Sequence, residues 1–321
     1  MRLTTPAGLA SRAVLGAAIS GMVLAGSLAI VVAIATAGGM ILSAYGSDLL
    51  GFVRITPPRL FWPIVWSLCA LGATGLFVRA IVRTVRTERA AFLEGASPLS
   101  ETEIVETSSI DSAVERLARQ VGIPTPTVRI DSAATPLAYT TYRPDAPLVG
   151  AGRDETPVIV LSTGLVETLS QSELSAVLAH EIAHIANDDL RLITVLLVPL
   201  VAAETLAEDE GSTSNVFELC GHLLSFVASI GVGVFSRGRE LAADRAAAVM
   251  TGEPATLASA LENLDESSTS KPTTDLRDHA RSTNAINVLP TLGPANSGTG
   301  LRSTHPSLET RLDQLRSLAR D

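Results

Sequence analysis

The chain has 321 residues, 46% of them hydrophobic, and a mean hydropathy of +0.33, high for a soluble protein of average make-up. Its 24 basic residues stand against 33 acidic ones, a net charge of −9, and Lys271 is the only lysine. This acidic balance argues against nucleic-acid binding, which needs a basic face. The two cysteines, Cys69 and Cys220, lie in apolar stretches and supply no disulfide framework.

Residues 1–90 predict a transmembrane hairpin. Segments at about 13–45 and 60–78 carry no charge, and each is long enough for a spanning helix of roughly 20 residues. Arg2 and Arg12 precede the first segment, and Arg79, Arg83, Arg86 and Arg89 follow the second. This bias predicts that both ends lie in the cytoplasm, although Arg54 and Arg59 occupy the intervening loop. Trp62 and Trp66 are expected at the outer interface. Ala35-Thr36-Ala37 resembles a signal-peptide cleavage site, but the apolar run exceeds a signal core and a second segment follows it, so anchoring is the preferred reading. Up to Ala90 the eight arginines outnumber Asp48 and Glu88 by six, which leaves −15 for the remainder.

Residues 91–109 are polar and acidic and read as a linker. Ile110 to Val121 has helical periodicity and stops at Gly122, with Pro124 beyond. Thr127 to Ile130 reads as a short strand, as does Val158-Ile159-Val160-Leu161. As an edge strand, the second would offer its main chain to an extended peptide. The other reading of Val158, Ile159, Val160 and Leu161 is an ordinary buried strand.

Ser170 and Glu173 form a capping-box pattern, and Leu174, Val177, Leu178, Ile182 and Ile185 recur at helical spacing. With Ala176, Ala179, Ala183 and Ala186 on the remaining face, the helix is apolar nearly all round and is expected to be buried. It carries His180-Glu181-Ile182-Ala183-His184. Residues four apart lie one above the other, so both imidazoles can reach one zinc ion, and Glu181 beside them is placed to act as a general base. Two histidines and a glutamate are costly to bury without a partner, and a dication satisfies all three.

A catalytic zinc usually takes three protein ligands and keeps a fourth position for water. Downstream, Glu240 and Asp244 are four apart on an Ala-rich helical segment. Glu240 can supply the third ligand while Asp244 accepts the second N–H of a ligating histidine. Alternatively, both pair with Arg237, Arg239 or Arg245 on a solvated helix. Two apolar stretches, about 190–207 and 217–236, surround these ligands in sequence. Because Glu240 must return to the side that holds His180, both stretches cross the membrane or neither does.

After Glu253 a helix is expected to about Leu264. Residues 267–300, rich in Ser, Thr, Pro, Gly and Asn, read as a surface loop. Pro306 is expected to open a final helix with Leu308, Leu312 and Leu315 on one face. His222 reads as a packed or hydrogen-bonded residue and His279 as solvated. His305 alone reads as flanking the last helix.

The segment His180 to His184 followed by Asn187, then Arg239-Glu240 with Ala243-Asp244, Val158 to Leu165, and Thr304-His305-Pro306 together resemble the HtpX family of membrane-bound zinc metallopeptidases. That family is related to the CAAX prenyl proteases, and the likeness spans about Ser108 to Arg316. It implies a mainly α fold with a small β-sheet: a membrane-anchored, gluzincin-like metalloprotease domain with about four transmembrane helices. It further implies one zinc on His180, His184 and Glu240, catalysis by Glu181, and accessory roles for Asp244 and His305. Residues 110–321 would then be a cytoplasmic zinc protease domain interrupted by the two apolar stretches. The implied partners are the lipid bilayer and polypeptide substrates, namely damaged or misfolded membrane proteins. A non-catalytic zinc-containing membrane scaffold and a prenyl-protein-processing protease are the alternatives. One departure stands out: Pro136-Leu137-Ala138-Tyr139-Thr140 replaces the family's Asn-Ala-Phe-like segment.

Overall fold

Long uncharged runs form two long helices in the computed structural model, α1 (Ala7–Phe52) and α2 (Phe61–Glu94), and Pro63 falls in the first turn of α2, where proline is tolerated. The structure describes residues 7–102, 107–147, 156–192, 198, 202, 215–268, 291–292 and 306–320. Both helices outrun the uncharged segments at 13–45 and 60–78. Arg, Leu and Ala are good helix formers, so a helix need not stop where the charge-free run does. The chain divides into two compact units, one of residues 19–85 and 198–228 and the other of residues 1–18, 86–197 and 229–321.

In the first unit, α1 meets α2 through glycines. A Cβ on Gly46 would lie 2.4 Å from Trp62 Cη2, and one on Gly39 would lie 2.9 Å from Trp66 Cδ1. Trp62 and Trp66, expected to mark an interface, therefore also fill notches on α1. Among the described residues three helices are long and apolar enough to cross a membrane: α1, α2 and part of a later helix, α6 (Asn215–Thr251). The expected fourth segment, 190–207, lies mostly outside the described residues.

The second unit is built on a five-stranded sheet ordered β1-β2-β4-β3-β5. Its strands are β1 (Ala96–Pro98), β2 (Thr127–Asp131), β3 (Ala138–Thr141), β4 (Val158–Ser162) and β5 (Thr291–Leu292). β2 and β4 run parallel, and the other neighbours are antiparallel. The edge-strand reading of Val158, Ile159, Val160 and Leu161 is thereby corrected. β4 lies between β2 and β3 and is buried along its whole length. Consecutive apolar residues are what a strand covered on both faces requires.

The linker reading of 91–109 also gives way. β1 and a 3-10 turn (Leu99–Glu101) fall inside it, with Ala96 and Leu99 buried. Ala96 packs with Tyr139, Val158 and Val160 on one face of the sheet. The other face presents Val128, Ile130, Ala138, Ile159 and Leu161 to the main core. That core is closed by α3 (Thr107–Val121), α5 (Gln171–Ala186), α7 (Pro254–Ser268) and α8 (Leu308–Leu318). α3 ends at Gly122, whose φ of 74° few other residues adopt cheaply. α8 starts later than expected: Ser307 caps it and Pro306 stands just ahead.

The short α4 (Thr163–Thr168) ties the sheet to the segment before β3. Ser162 Oγ caps α4 through Leu165 N and also accepts from Leu137 N at 2.8 Å. A Cβ on Gly164 would meet Ala134 O at 2.0 Å, so this close approach requires glycine.

Candidate metal centre

α5 begins at a full capping box. Ser170 accepts from Glu173 N while Glu173 Oε2 accepts from Ser170 N at 2.9 Å. The second Glu173 oxygen accepts from Ser259 Oγ at 2.6 Å and from Asn263 Nδ2 at 2.7 Å, which pins α7 to the start of α5. From Glu173 to His184 almost every residue is buried, and His180, Glu181 and His184 are fully so.

The two imidazoles turn their Nε2 atoms toward each other, 3.0 Å apart. α6 brings Glu240 against them, with Oε2 3.7 Å from His180 Nε2 and Oε1 3.4 Å from His184 Nε2. The ligand atoms of His180, His184 and Glu240 all lie within 4.8 Å of one another.

Each ring is backed by a carboxylate. His180 Nδ1 lies 2.9 Å from Asp244 Oδ1, and His184 Nδ1 lies 2.8 Å from Asp189 Oδ2. A neutral imidazole donating from Nδ1 presents a lone pair at Nε2. With both rings neutral, two lone pairs and a carboxylate converge, an arrangement that suits a cation; without one, His184 keeps a proton toward Glu240. Nitrogens bound to a tetrahedral zinc at about 2 Å stand roughly 3.3 Å apart, close to the separation here.

Charge agrees with this fit. Asp244 is held by Arg311 of α8, and Asp189 by Arg239 of α6. With both histidines neutral and all four buried carboxylates (Glu181, Asp189, Glu240, Asp244) ionised, the two guanidiniums (Arg239, Arg311) leave a net −2, which a dication balances and which protons on His184 and Glu181 offset without it. Burial pushes His180 below its usual range against the pull of Asp244. For His184 burial works the same way, but Asp189 and Glu240 outweigh it and raise the imidazole to about 10.

Asp189 and Arg311 escape a reading of the sequence. Asp189 follows His184 by five residues, but its approach depends on the turn after α5, where Asp188 has a φ of 60°. Asp tolerates that left-handed conformation better than most residues. Arg311 gives no local signal, because a charged residue on a terminal helix ordinarily faces water.

Glu181, next to His180 on α5, lies close enough to feel the charges of His184 and Glu240. Its Oε2 accepts from Thr140 Oγ1 of β3 at 2.6 Å, and its Oε1 is buried with no hydrogen-bond partner among the described residues. Burial pushes this carboxyl up to about 7, against the downward pull of His184 and Thr140. The structure therefore gathers His180, Glu181, His184, Glu240 and Asp244 in one buried cluster. His305 lies outside the described residues, although its neighbour Pro306 is buried. Val158 to Leu161 form the sheet interior beneath α5.

Comparison with known proteins agrees with this cluster. The pattern of peptidase family M48 matches residues 105–319. A protease HtpX homolog of Moorella thermoacetica is 35% identical over 242 residues, covering 71% of this chain and 76% of that protein. Protease HtpX homolog 1 of Streptomyces coelicolor is 35% identical over 228 residues, covering 65% and 70% respectively. Among solved structures, S. mikatae Ste24p aligns with 86% of this chain and 63% of its own, at 19% identity and a TM-score of 0.38. With the family pattern matched over two thirds of its length and relatives at this identity, the chain belongs to peptidase family M48 and is an HtpX-type metalloprotease.

Proposed function

We propose that this metalloprotease is a membrane-embedded zinc endopeptidase that hydrolyses peptide bonds of damaged or misfolded membrane proteins. In this reading His180, His184 and Glu240 hold one zinc ion. Bound zinc supplies Lewis acidity, polarising a carbonyl and bringing the pKa of a water toward 7. Glu181 would take a proton from the attacking water on Oε1 and pass it to the amine released as the peptide C–N bond breaks. Asp244 and Asp189 fix the tautomer and orientation of the two rings. His305 is assigned to the reacting carbonyl on family likeness alone.

The observation that carries the proposal is the unpartnered, buried Oε1 of Glu181, on a carboxyl that feels the charges of His184 and Glu240, two of the three converging ligand groups. A carboxylate raised toward neutrality suits a base that must take up and release a proton near pH 7.

With β4 internal, substrate pairing passes in this reading to β3. β5 pairs with β3 only at Ala138 and Tyr139, so Thr140 and Thr141 have no strand partner on that side among the described residues. An extended peptide added there would gain main-chain bonds at low sequence specificity, which fits unfolded substrates. In this reading the hairpin of residues 1–90 serves as the anchor and residues 110–321 as the protease domain, and the arginine bias supports a cytoplasmic position for that domain.

The test is a metal assay on detergent-purified protein combined with cleavage of an unfolded test protein. One zinc per chain is expected, with hydrolysis abolished by a chelator and restored by zinc. Equal hydrolysis by the metal-free protein would contradict the proposal.

A further inference from the structure

The residues of β3 alternate between two environments. Ala138 joins the core against α5, whereas Tyr139 packs with Ala96, Val158 and Val160 on the opposite face of the sheet. Thr140 has the parity of Ala138, so its side chain faces α5, and its hydroxyl donates to Glu181 Oε2 at 2.6 Å. Both residues are fully buried. Antiparallel pairing with Ile159 of β4 fixes the Thr140 backbone, and β-branching restricts its χ1.

Glu181 needs such a support. The last torsion of a glutamate is broad and nearly two-fold, so a carboxylate with no fixed partner exchanges its two oxygens freely. A charge-assisted hydrogen bond of this length holds one oxygen and leaves the other with a defined direction. We infer that Thr140 is a positioning residue for the general base: its hydroxyl holds Oε2 and commits Oε1 to the reacting water. This inference rests on the assignment of Glu181 as base. It also joins two tasks in one strand, because β3 would orient the base with a side chain while pairing with the substrate through its backbone.

The test compares Thr140→Val, which removes the hydroxyl at nearly constant volume, with Thr140→Ser, which keeps it. Zinc affinity is measured by chelator competition, and kcat and KM are measured on a peptide substrate. Thr140→Val is expected to lower kcat by roughly 10–100-fold, the scale of a small misplacement of a reacting group. KM and zinc affinity should stay within two-fold of wild type, and Thr140→Ser should recover most of the loss. If Thr140→Val folds poorly, Thr140→Ala carries the same expectation without a methyl against the carboxylate. A kcat within two-fold of wild type in the folded hydroxyl-free variant would overturn the inference, as would a loss that follows zinc affinity or that serine fails to rescue. Glu181→Gln separates the two levels. If it stays active, the base assignment fails; if it is inactive while Thr140→Val matches wild type, only the role of Thr140 fails.

Discussion

Arg311 in the last helix grips Asp244 with two hydrogen bonds, Nε to Oδ2 at 2.7 Å and Nη2 to Oδ1 at 2.6 Å. Asp244 in turn faces His180, so the C-terminal helix closes the outer layer of the metal centre. The carboxylates of Asp244 and Glu240 outweigh burial and keep the Arg311 guanidinium firmly charged.

Arg311→Met should therefore destabilise the fold severely, since it leaves Asp244 as an uncompensated buried charge. Breaking such a pair costs about 3–5 kcal/mol. Arg316→Met, which removes an exposed partner of Glu262 on the same helix, should cost under about 1 kcal/mol. Thermal unfolding of the two variants in detergent distinguishes these outcomes.

Metal binding should depend on pH in a defined direction. His184 is raised to about 10 in the metal-free protein, so at neutral pH a cation must displace a proton from that ring. Falling pH favours the proton and rising pH the metal. Apparent zinc affinity should climb by about ten-fold per pH unit between pH 7 and 9, with about one proton released per ion bound. Calorimetry in two buffers of different ionisation enthalpy measures that proton directly.

Glu173 predicts a separate effect on stability. Burial would raise its carboxyl, but hydrogen bonds from Ser259, from Ser170 and from Asn263 outweigh it and hold the group below 4.5. A depressed carboxyl stabilises the fold above its unfolded pKa, and that contribution is lost as pH falls through the folded value. Glu173→Gln should therefore be less stable than wild type at pH 7, by about 1–2 kcal/mol for the lost charge-assisted bonds. The gap should shrink toward pH 3, as denaturant titration at both pH values would reveal.

What the sequence makes legible follows the length scale of each interaction. The capping box at Ser170 and the pair His180 and His184 are encoded within one helix, and helical spacing alone brings them together. Glu240 lies far along the chain, and its alternative on a solvated helix is set aside only when α6 packs against α5. β4 appears as an apolar run, yet no local pattern tells a central strand from an edge strand. β3 gives no periodic signal, since Ala138, Tyr139, Thr140 and Thr141 are all buried whatever their polarity. Thr140 and Arg311 thus become visible only through the tertiary contacts that bring them to Glu181 and Asp244.

In the proposed mechanism Glu181 is the base beside a metal held by other residues. Glu181→Gln keeps the side-chain volume and leaves His180, His184 and Glu240 untouched, but it cannot accept the proton of a water. The most direct measurement pairs zinc stoichiometry with the cleavage rate of an unfolded protein for wild type and Glu181→Gln. Equal zinc and a rate at least ~100-fold lower are expected in the variant. A zinc-loaded Glu181→Gln protein cleaving within a few-fold of wild type would contradict that mechanism.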